Sequence, residues 1–493
     1  MHENEEAAGE LRPEGLARGP PGILRAVQGT QTHISEPGSR MSSPPNANRT
    51  ASAPGPFLKV VGSSLIGTTV EWYDFFLYGS AAALVFNKLF FPGFEPLVGT
   101  LLAFATYAVG FVARPLGGLV FGHYGDRVGR KKMLVLSLLI MGIATFAIGL
   151  LPTYSAVGLL APILLVIFRL LQGFAVGGEW GGAILIVAEH GGAKRRGFWS
   201  SWPQAGVPAG NLLAVGVLFL FAATLSDAAF EAWGWRVPFL LSAVLVLVGL
   251  YIRVSISESP VFQRAQAEMQ QSRVRQKAPI RQVLTRYRRE VLVAMGARFA
   301  ENVSYYLFTV FVLTYVTRQV GLSRGTALNA VLIGSAVQLF AIPLLGALSD
   351  RIGRRPLYLT GAVGVGVWGF AFFALIDTRS FVAITLAVTG GLVLHAMMYG
   401  PQAAYFAELF GTSVRYSGAS IGYQLASVFA GSLAPLIAVA LLARYGSGTP
   451  IAIYLAGSAI VTIVAVLSSG ETRQRELSAD IGVDRVGLRG AGA

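Results

Sequence analysis

Long apolar runs separated by short polar links, many of them basic, set the pattern of this chain. Twelve runs stand out, at about residues 58–86, 97–122, 132–152, 156–189, 198–225, 236–256, 291–317, 325–348, 356–376, 380–407, 417–443 and 449–469. A helix needs about 20 apolar residues to cross a hydrocarbon core about 30 Å thick, and each run meets that length. The runs lack the strict two-residue alternation of strands, so the pattern predicts an all-α polytopic membrane protein with twelve transmembrane helices. Gly and Pro interrupt several runs, which membrane helices tolerate where neighbours re-satisfy the backbone. The longest link, residues 257–290, is highly charged and divides the chain into a bundle over 57–256 and a second over 291–470. Residues 1–56 are polar and rich in Gly, Pro and Ser, and read as a disordered tail. No apolar segment of signal-peptide type precedes the first run, and Met41 is a second possible start. Asn48-Arg49-Thr50 spells a glycosylation sequon, read here as chance because the tail is expected inside the cell. Residues 471–493 form a short closing tail.

Composition strengthens the membrane reading. The 493 residues are 54% hydrophobic and 13% charged, against about 25% charged in soluble proteins, and mean hydropathy is +0.59. There is no Cys, which excludes disulfides, thiolate metal sites and cysteine nucleophiles. The formal charge of +14 raises the question of nucleic acid. The cations sit in links between apolar runs, however, and no basic domain with interleaved aromatics stands outside them. With residue 57 inside the cell, the inner links hold about 20 basic residues and the outer links about 6, a positive-inside asymmetry. Both termini are then cytoplasmic.

The two halves repeat. GHYGDRVGRKK begins at Gly122, after the second run, and GALSDRIGRRP begins at Gly346, after the eighth. Both fit Gly-x-x-x-Asp-Arg-x-Gly-Arg-basic, with Gly122, Asp126, Gly129 and Arg130 in the first copy and Gly346, Asp350, Gly353 and Arg354 in the second. Glu189 precedes Arg196 by seven positions, and Glu408 precedes Arg415 by seven. Parallel duplication of six spans is a transporter architecture. The loop motifs resemble the signature of the major facilitator superfamily. Within it, EWYDFFLYGSAAALVF, FVARPLGGLVFGHYGDRVGRKK, RLLQGFAVGGEWGGA and RRGFWSSWPQAGVPAG resemble the metabolite–proton symporter family, whose members include carriers for shikimate, α-ketoglutarate, citrate and proline or betaine. VFNKLFFP, the GEWGG core and ELFGTSVRYSGASIGYQLAS are most similar to the shikimate type. The likeness covers about residues 58–473. It implies two pseudo-symmetric six-helix bundles, the major facilitator fold, in a plasma membrane.

Charges inside apolar runs are the candidate chemistry. GTTVEWYDFFLYGS puts Glu71 and Asp74 one helical turn apart on one face of the first run. A carboxylate at bilayer depth costs roughly 2.5–3.5 kcal/mol on insertion scales, so both must face the interior. Counting about 1.5 Å per residue from position 60 sets them about 17–21 Å deep, near the midplane. Such a carboxylate is suited to taking and releasing a proton; its bland alternative is a permanent salt bridge. Arg114, Arg169 and Arg298 lie in the second, fourth and seventh runs. Guanidinium is planar, always charged, and matches a carboxylate, whether the protein's or a substrate's. Resemblance to proton-coupled facilitators implies Asp74 paired with Arg169, and resemblance to dicarboxylate carriers implies Arg114 for substrate. Glu179 and Trp180 sit in GGEWGG, where glycines leave room for a polar cavity or simply for helix packing. Arg298 and Glu301 are three apart, like Glu71 and Asp74. They follow that first pair at nearly the same offset as the second loop motif follows the first, which marks the seventh run as the repeat partner of the first. Gln172, Gln204 and Gln402 are further candidate substrate donors, with Asn211, Tyr305 and Gln424, and His395 is a candidate proton carrier or a packed core residue.

The loop motifs suit gating. Asp126, Arg130, Glu189 and Arg196 from one half, and Asp350, Arg354, Glu408 and Arg415 from the other, sit where acids cap helix N-termini and pair with Arg across the halves. Such ties exist only with the cytoplasmic side shut; plain topology control by positive charge is the alternative. Gly364-x-Gly366-x-x-Gly369 spells a dinucleotide fingerprint, but it lies inside an apolar run with no βαβ unit, so it reads as helix packing.

The expected function is proton-coupled import of a small organic acid, shikimate-like or a di- or tricarboxylate, by alternating access. Expected partners are that acid, protons and lipid, with no cofactor beyond the proton gradient, no nucleic acid and no required oligomer. A proline/betaine-type zwitterion:proton symporter is the alternative within transporters; against it, residues 471–493 are short and Gly-rich where osmosensing members carry a long charged coiled coil. Buried arginines disfavour a cationic-drug antiporter. A non-transporting membrane sensor is a second alternative, with no large soluble domain to support it. No Cys and scattered His leave no nucleophile or metal cluster for a membrane enzyme.

Overall fold

A computed structural model describes residues 54–128, 130–177, 193–255, 285–411, 414–473 and a few isolated positions between and after them. Among these residues there is no strand, and twelve helical rods follow one another. They are α1 (Pro54–Ala81, continued through a π turn at Ala82–Phe86 to Asn87–Phe90), α2 (Pro96–Val128), α3 (Arg130–Leu150), α4 (Leu160–Val176), α5 (Arg196–Thr224) and α6 (Arg236–Ser255). The second set is α7 (Arg288–Tyr306, continued through π turns to Gln319), α8 (Arg324–Ile352), α9 (Arg354–Asp377), α10 (Phe381–Leu409), α11 (Arg415–Ala426, then a π turn and Leu433–Tyr445) and α12 (Thr449–Ser468). Among the described residues, seven helices are each long and apolar enough to cross a membrane, and the bent pair Asp227–Gly234 and Arg236–Tyr251 makes an eighth when counted as one span.

The fourth run departs from its expected outline. Its first residues form a separate turn, Tyr154–Val157, and α4 starts only at Leu160. Gly158 breaks the two, at φ +59°, a conformation that costs glycine little. The π turns of α1 and α7, Ala82–Phe86 and Leu307–Phe311, recur at nearly the offset that separates the two loop motifs. Both halves therefore carry the same irregularity in the same helix. Internal prolines, Pro115 in α2, Pro203 and Pro208 in α5, Pro343 in α8 and Pro401 in α10, are held inside continuous helices.

Across the halves, α5 packs along α8 and α10, and α2 packs along α11. Within each half, α3 with α6 and α2 with α4 build the first bundle, and α9 with α10 and α12 build the second. The α2–α4 crossing needs glycine: a Cβ at Gly173 would collide with the Gly110 carbonyl oxygen. Large apolar side chains left exposed, such as Val112, Leu116, Ile143, Leu247, Phe340 and Val382, lie on the outside of the rods, where lipid covers them.

Candidate functional site: a buried charge cluster between two gates

Away from the loop-motif end, three arginines are each at most 2% exposed among the described residues: Arg114, Arg169 and Arg298. Aromatic rings surround them. The Arg114 guanidinium lies 4.4 Å from the ring centres of Phe75 and Phe111 and 5.7 Å from that of Trp72. Arg169 lies 4.5 Å from Phe75, Tyr78 and Tyr107 alike. Arg298 lies 3.2 Å from the Tyr423 ring centre. Ring faces supply part of the counter-field a buried cation needs, yet leave hydrogen-bonding edges open. Arg114 Nε and Arg169 Nη2 have no hydrogen-bond partner.

The first half contains a short polar chain. Arg169 Nη1 donates to Gln172 Oε1 at 3.1 Å, and Gln172 Nε2 donates to Thr145 Oγ1 at 2.7 Å. Thr145 in turn donates to the Met141 carbonyl at 2.9 Å. Its hydroxyl is thereby committed; Asp74, 1% exposed, neighbours it but has no partner within hydrogen-bond distance for either carboxyl oxygen. The expected Asp74–Arg169 pair is not formed here: Arg169 Nη1 and Nε turn to Gln172 and the Tyr107 carbonyl, three rings pack around the guanidinium, and Nη2 stays without a partner. Glu71 and Gln204 are buried nearby on α1 and α5.

In the second half the central charges are paired with one another. Arg298 Nη1 lies 3.1 Å from Glu301 Oε2 and donates to Gln402 Oε1 at 2.8 Å. Gln402 Nε2 donates to Glu301 Oε2 at 3.2 Å and to the Tyr358 hydroxyl at 2.9 Å. His395 Nε2 lies 3.1 Å from Glu301 Oε1, and Gln338 Nε2 lies 2.8 Å from His395 Nδ1. Between the halves a cavity of about 10 Å³ remains, lined by Trp72, Val207, Arg298, Glu301, Asn302, Tyr305, Tyr306, His395 and Tyr399. That is room for about one water. Of the substrate candidates, Arg298, Glu301 and Tyr305 line it, and Arg114, Gln172, Gln204 and Gln402 do not. Tyr306, Tyr399 and Asn302 were not among the sequence candidates. The i, i+3, i+4, i+7 series Arg298, Glu301, Asn302, Tyr305 is the signal that finds this face. Glu179, Trp180, Gly129 and Glu189 lie outside the described residues, as does the side-chain setting of Gly122, Asp126 and Arg130.

Two sets of ion pairs close the ends. At the loop-motif end, Asp350 of α8 accepts from the backbone N–H of Gly197 at 2.8 Å and of Phe198 at 2.9 Å, capping α5 from the other half. Asp350 also lies 2.8 Å from Arg354 Nη1. Glu408 of α10 accepts from Arg196 Nη1 at 2.8 Å and lies 3.3 Å from Arg354 Nη2. The side chains of Arg196, Arg354 and Glu408 are all buried. Arg415 donates to the Ala407 carbonyl at 2.8 Å. Gly346 lets α5 and α8 touch: a Cβ there would meet Ser201 Oγ at 2.6 Å and the Gly197 carbonyl at 2.7 Å. Gly353, at φ +106°, links α8 to α9. The segment after α12, read as a tail, is tied in as well. Thr472 donates to Glu408 Oε2 at 2.7 Å, and Glu471 caps α9 through the N–H of Arg354 at 2.9 Å and Arg355 at 3.0 Å. Burial alone would raise the Glu471 carboxyl, but these backbone donors hold it below the usual range.

At the opposite end, Glu231, between α5 and α6, takes Lys88 at 2.5 Å and is also bonded by Arg324, the first residue of α8. Arg324 further lies 3.3 Å from Asp227. Burial pushes the Glu231 carboxyl up; the hydrogen bonds from Lys88 and Arg324 outweigh it and hold the group below the usual range. Both ends are therefore closed by bonds that cross the halves.

Twelve helices in duplicated halves, a buried charge cluster between them and ion pairs tying the halves together at each end have the architecture of a membrane carrier. A family model described as Major Facilitator Superfamily matches residues 64–435 and 294–481. The chain belongs to this superfamily, whose members are transporters and not enzymes. It is 44% identical to the shikimate transporter of Escherichia coli K12, over 83% of this chain and 94% of that one. It is 36% identical to the proline/betaine transporter of the same strain, over 86% of this chain and 85% of that one. Among solved structures, the xylose transporter XylE from E. coli, in a partially occluded inward open conformation, superposes with a TM-score of 0.66 at 19% identity, over 85% of this chain and 99% of that one. That last likeness speaks for the fold alone.

Proposed function

We infer that this carrier imports a small organic acid together with a proton, across the inner (plasma) membrane and with the loop-motif end cytoplasmic. The observation that carries the reading is the interior charge: two ring-packed arginines with open donor edges, beside an acid, Asp74, whose oxygens have no partner. Open guanidinium edges in a buried, aromatic-lined site suit a carboxylate on a small ring or chain. The unpartnered hydroxyls of Tyr107 and Tyr305 suit a substrate that also bears hydroxyl groups. An ionised carboxylate without a partner is far costlier in such a place than the neutral acid. Asp74 thus suits a proton site that must be filled before the carrier closes. Glu71 and Arg169 assist it on this reading, and Arg114, with Arg298 across the cavity, receives the carboxylate. The likeness to a shikimate transporter supports a hydroxylated ring acid as substrate. A proline- or betaine-like zwitterion is the second reading, supported by the 36% identity to a proline/betaine transporter.

The test is substrate-triggered alkalinisation in proteoliposomes, with shikimate, α-ketoglutarate, citrate, proline and glycine betaine added in turn. Shikimate or another acid should raise external pH; a response to betaine alone would install the zwitterion reading. Asp74→Asn should abolish uphill accumulation and spare exchange. Normal accumulation by Asp74→Asn would remove the proton role from this residue.

A further inference from the structure

Gln338 of α8 holds an unusual position against His395 of α10. Its amide nitrogen is 2.8 Å from His395 Nδ1 and 3.4 Å from the Leu392 carbonyl, while its own oxygen, fully buried, has no partner. An amide N–H can only donate, so Nδ1 accepts and carries no proton. The ring proton is then on Nε2, which donates to Glu301 Oε1 at 3.1 Å. This arrangement is the neutral Nε2–H tautomer of His395. Turning the Gln338 amide over would bring its idle oxygen to Nδ1, ready to accept from an Nδ1–H. The flip gives the imidazolium an acceptor at Nδ1; its cost is the 3.4 Å bond to the Leu392 carbonyl, with the amide NH2 moved to the position where the oxygen had no partner.

Resting on the proton-coupled reading above, we propose that His395 is a second proton site, switched by the Gln338 amide and read out by Arg298. The proton adds to the Nδ1 lone pair; Nε2–H still donates to Glu301, which stays a carboxylate. Without it, Arg298, Glu301 and His395 sum to zero charge. With it they sum to one positive charge, and Glu301 is shared between two cations. Arg298 Nη1, now needed less at Glu301 Oε2, turns to the cavity it already lines. One anionic carboxylate restores neutrality, so proton and acid enter as a pair. The groups around the ring are consistent with this balance. From α7 come Glu301, Arg298 and Tyr305; from α10 itself Tyr399 and Gln402; from α8 Gln338; and from α1 Trp72, across the cavity. Beyond them, Tyr358 of α9 reaches Gln402 and Tyr423 of α11 covers Arg298. Among the described residues around the ring, Glu301 is the one acid.

The test reads the ring directly. In the full chain, His2, His33, His123 and His190 are replaced by Gln, which leaves His395 as the one histidine of the original five. The protein, labelled with 15N-histidine in lipid nanodiscs, is examined by nitrogen NMR at a fixed pH, with and without shikimate, and proton uptake is recorded on the same sample. The expected result is the neutral Nε2–H tautomer without shikimate and the imidazolium with it. Gln338→Leu keeps the histidine and removes the switch. Where shikimate binding to the parent chain weakens roughly tenfold per pH unit on the alkaline side, this variant should bind with a flatter pH profile. An unchanged neutral tautomer in a sample that binds shikimate and takes up protons overturns the proposal and leaves the Asp74 reading intact. An unchanged pH profile in Gln338→Leu overturns it too. A parent chain that takes up no proton with shikimate defeats the underlying reading itself.

Discussion

Cutting the tie between Arg196 and Glu408 should open the loop-motif gate by a predictable factor. Glu408 holds three partners, but only Arg196 belongs to the other half; Arg354 and Thr472 lie in its own half. Bonds within one half persist when the halves part, so they do not bias the equilibrium. Arg196 Nη1 also makes a longer, weaker 3.4 Å bond to the Arg475 carbonyl; the main bond that breaks is its 2.8 Å charge-assisted one to Glu408. Such a bond contributes about 1.5–3 kcal/mol, which shifts a two-state equilibrium roughly 10- to 150-fold. Arg196→Gln leaves Glu408 with Arg354 and Thr472, and Glu408→Gln leaves Arg354 with Asp350 at 2.8 Å and Ser349 at 2.6 Å. The two variants should therefore open the gate to a similar extent, and the double variant should add little to the larger single effect. The chain has no native Cys, so Ser201→Cys is a clean reporter. Ser201 is fully buried on α5 opposite Gly346, and its labelling rate by N-ethylmaleimide tracks the open fraction. Labelling that changes less than about threefold in both variants, or a double variant whose effect is the product of the singles, would refute this account of the gate.

The same reporter tests the close approach of α5 and α8. Gly346→Ala drives a methyl toward Ser201 and the Gly197 carbonyl, both in the opposite half; overpacking of about 1–3 kcal/mol should raise Ser201→Cys labelling roughly 5- to 150-fold while every gate charge stays in place. At the opposite end, Glu231 sits below its ordinary value of 4.5 because it is bonded to Lys88 and Arg324. A depressed carboxyl stabilises closure fully above its ordinary value and loses that contribution as pH falls through the depressed one. Spin labels at Ala228 and Gly325 should report a distance that is constant at neutral pH and lengthens on strong acidification; in Glu231→Gln this end should be open in part at neutral pH, with the acid-dependent step gone.

The helices were legible because bilayer thickness turns hydropathy into length, and, the fourth run apart, their described ends fall within a few residues of the apolar runs. The identities of the buried charges were legible for the same reason: Asp74, Arg114, Arg169 and Arg298 are conspicuous in apolar sequence. Their partners were not. Whether Asp74 meets Arg169 depends on how α1 and α4 are turned about their axes, and Phe75, Tyr78 and Tyr107 gather around the guanidinium instead. Arg298 and Glu301 were readable as a pair because spacing within one helix fixes it. His395 and Gln338 come from α10 and α8, and only tertiary packing brings them to Glu301. The gate motifs announced their acids and cations but not the route by which Asp350 reaches backbone donors of α5. Glu471 and Thr472 were hidden for a different reason: a polar segment after the last span looks like any solvated tail until the helix end it caps is known.

The two halves are unequal inside, and the inequality bears on how a carrier of this kind couples its cargoes. Gln338 follows Arg114 at the offset by which Gly346 follows Gly122, so a cation in one half answers an amide in the other. In the second half the central charges on α7, Arg298 and Glu301, are paired with each other and with Gln402. The first half leaves Arg114 Nε, Arg169 Nη2 and both Asp74 oxygens without partners. Each such group costs about 1–3 kcal/mol when buried. The ties at both gates offset that cost in the closed form, and the cavity of about 10 Å³ admits no substrate there. Binding must begin with one gate parted. On the proposed function, a proton on Asp74 would remove the costliest of the open groups, and a carboxylate reaching Arg114 would fill another. On the proposed mechanism, a carrier holding both recloses with fewer buried groups unmet than one holding either alone, and that difference in closing free energy is what ties the movement of the acid to the movement of the proton.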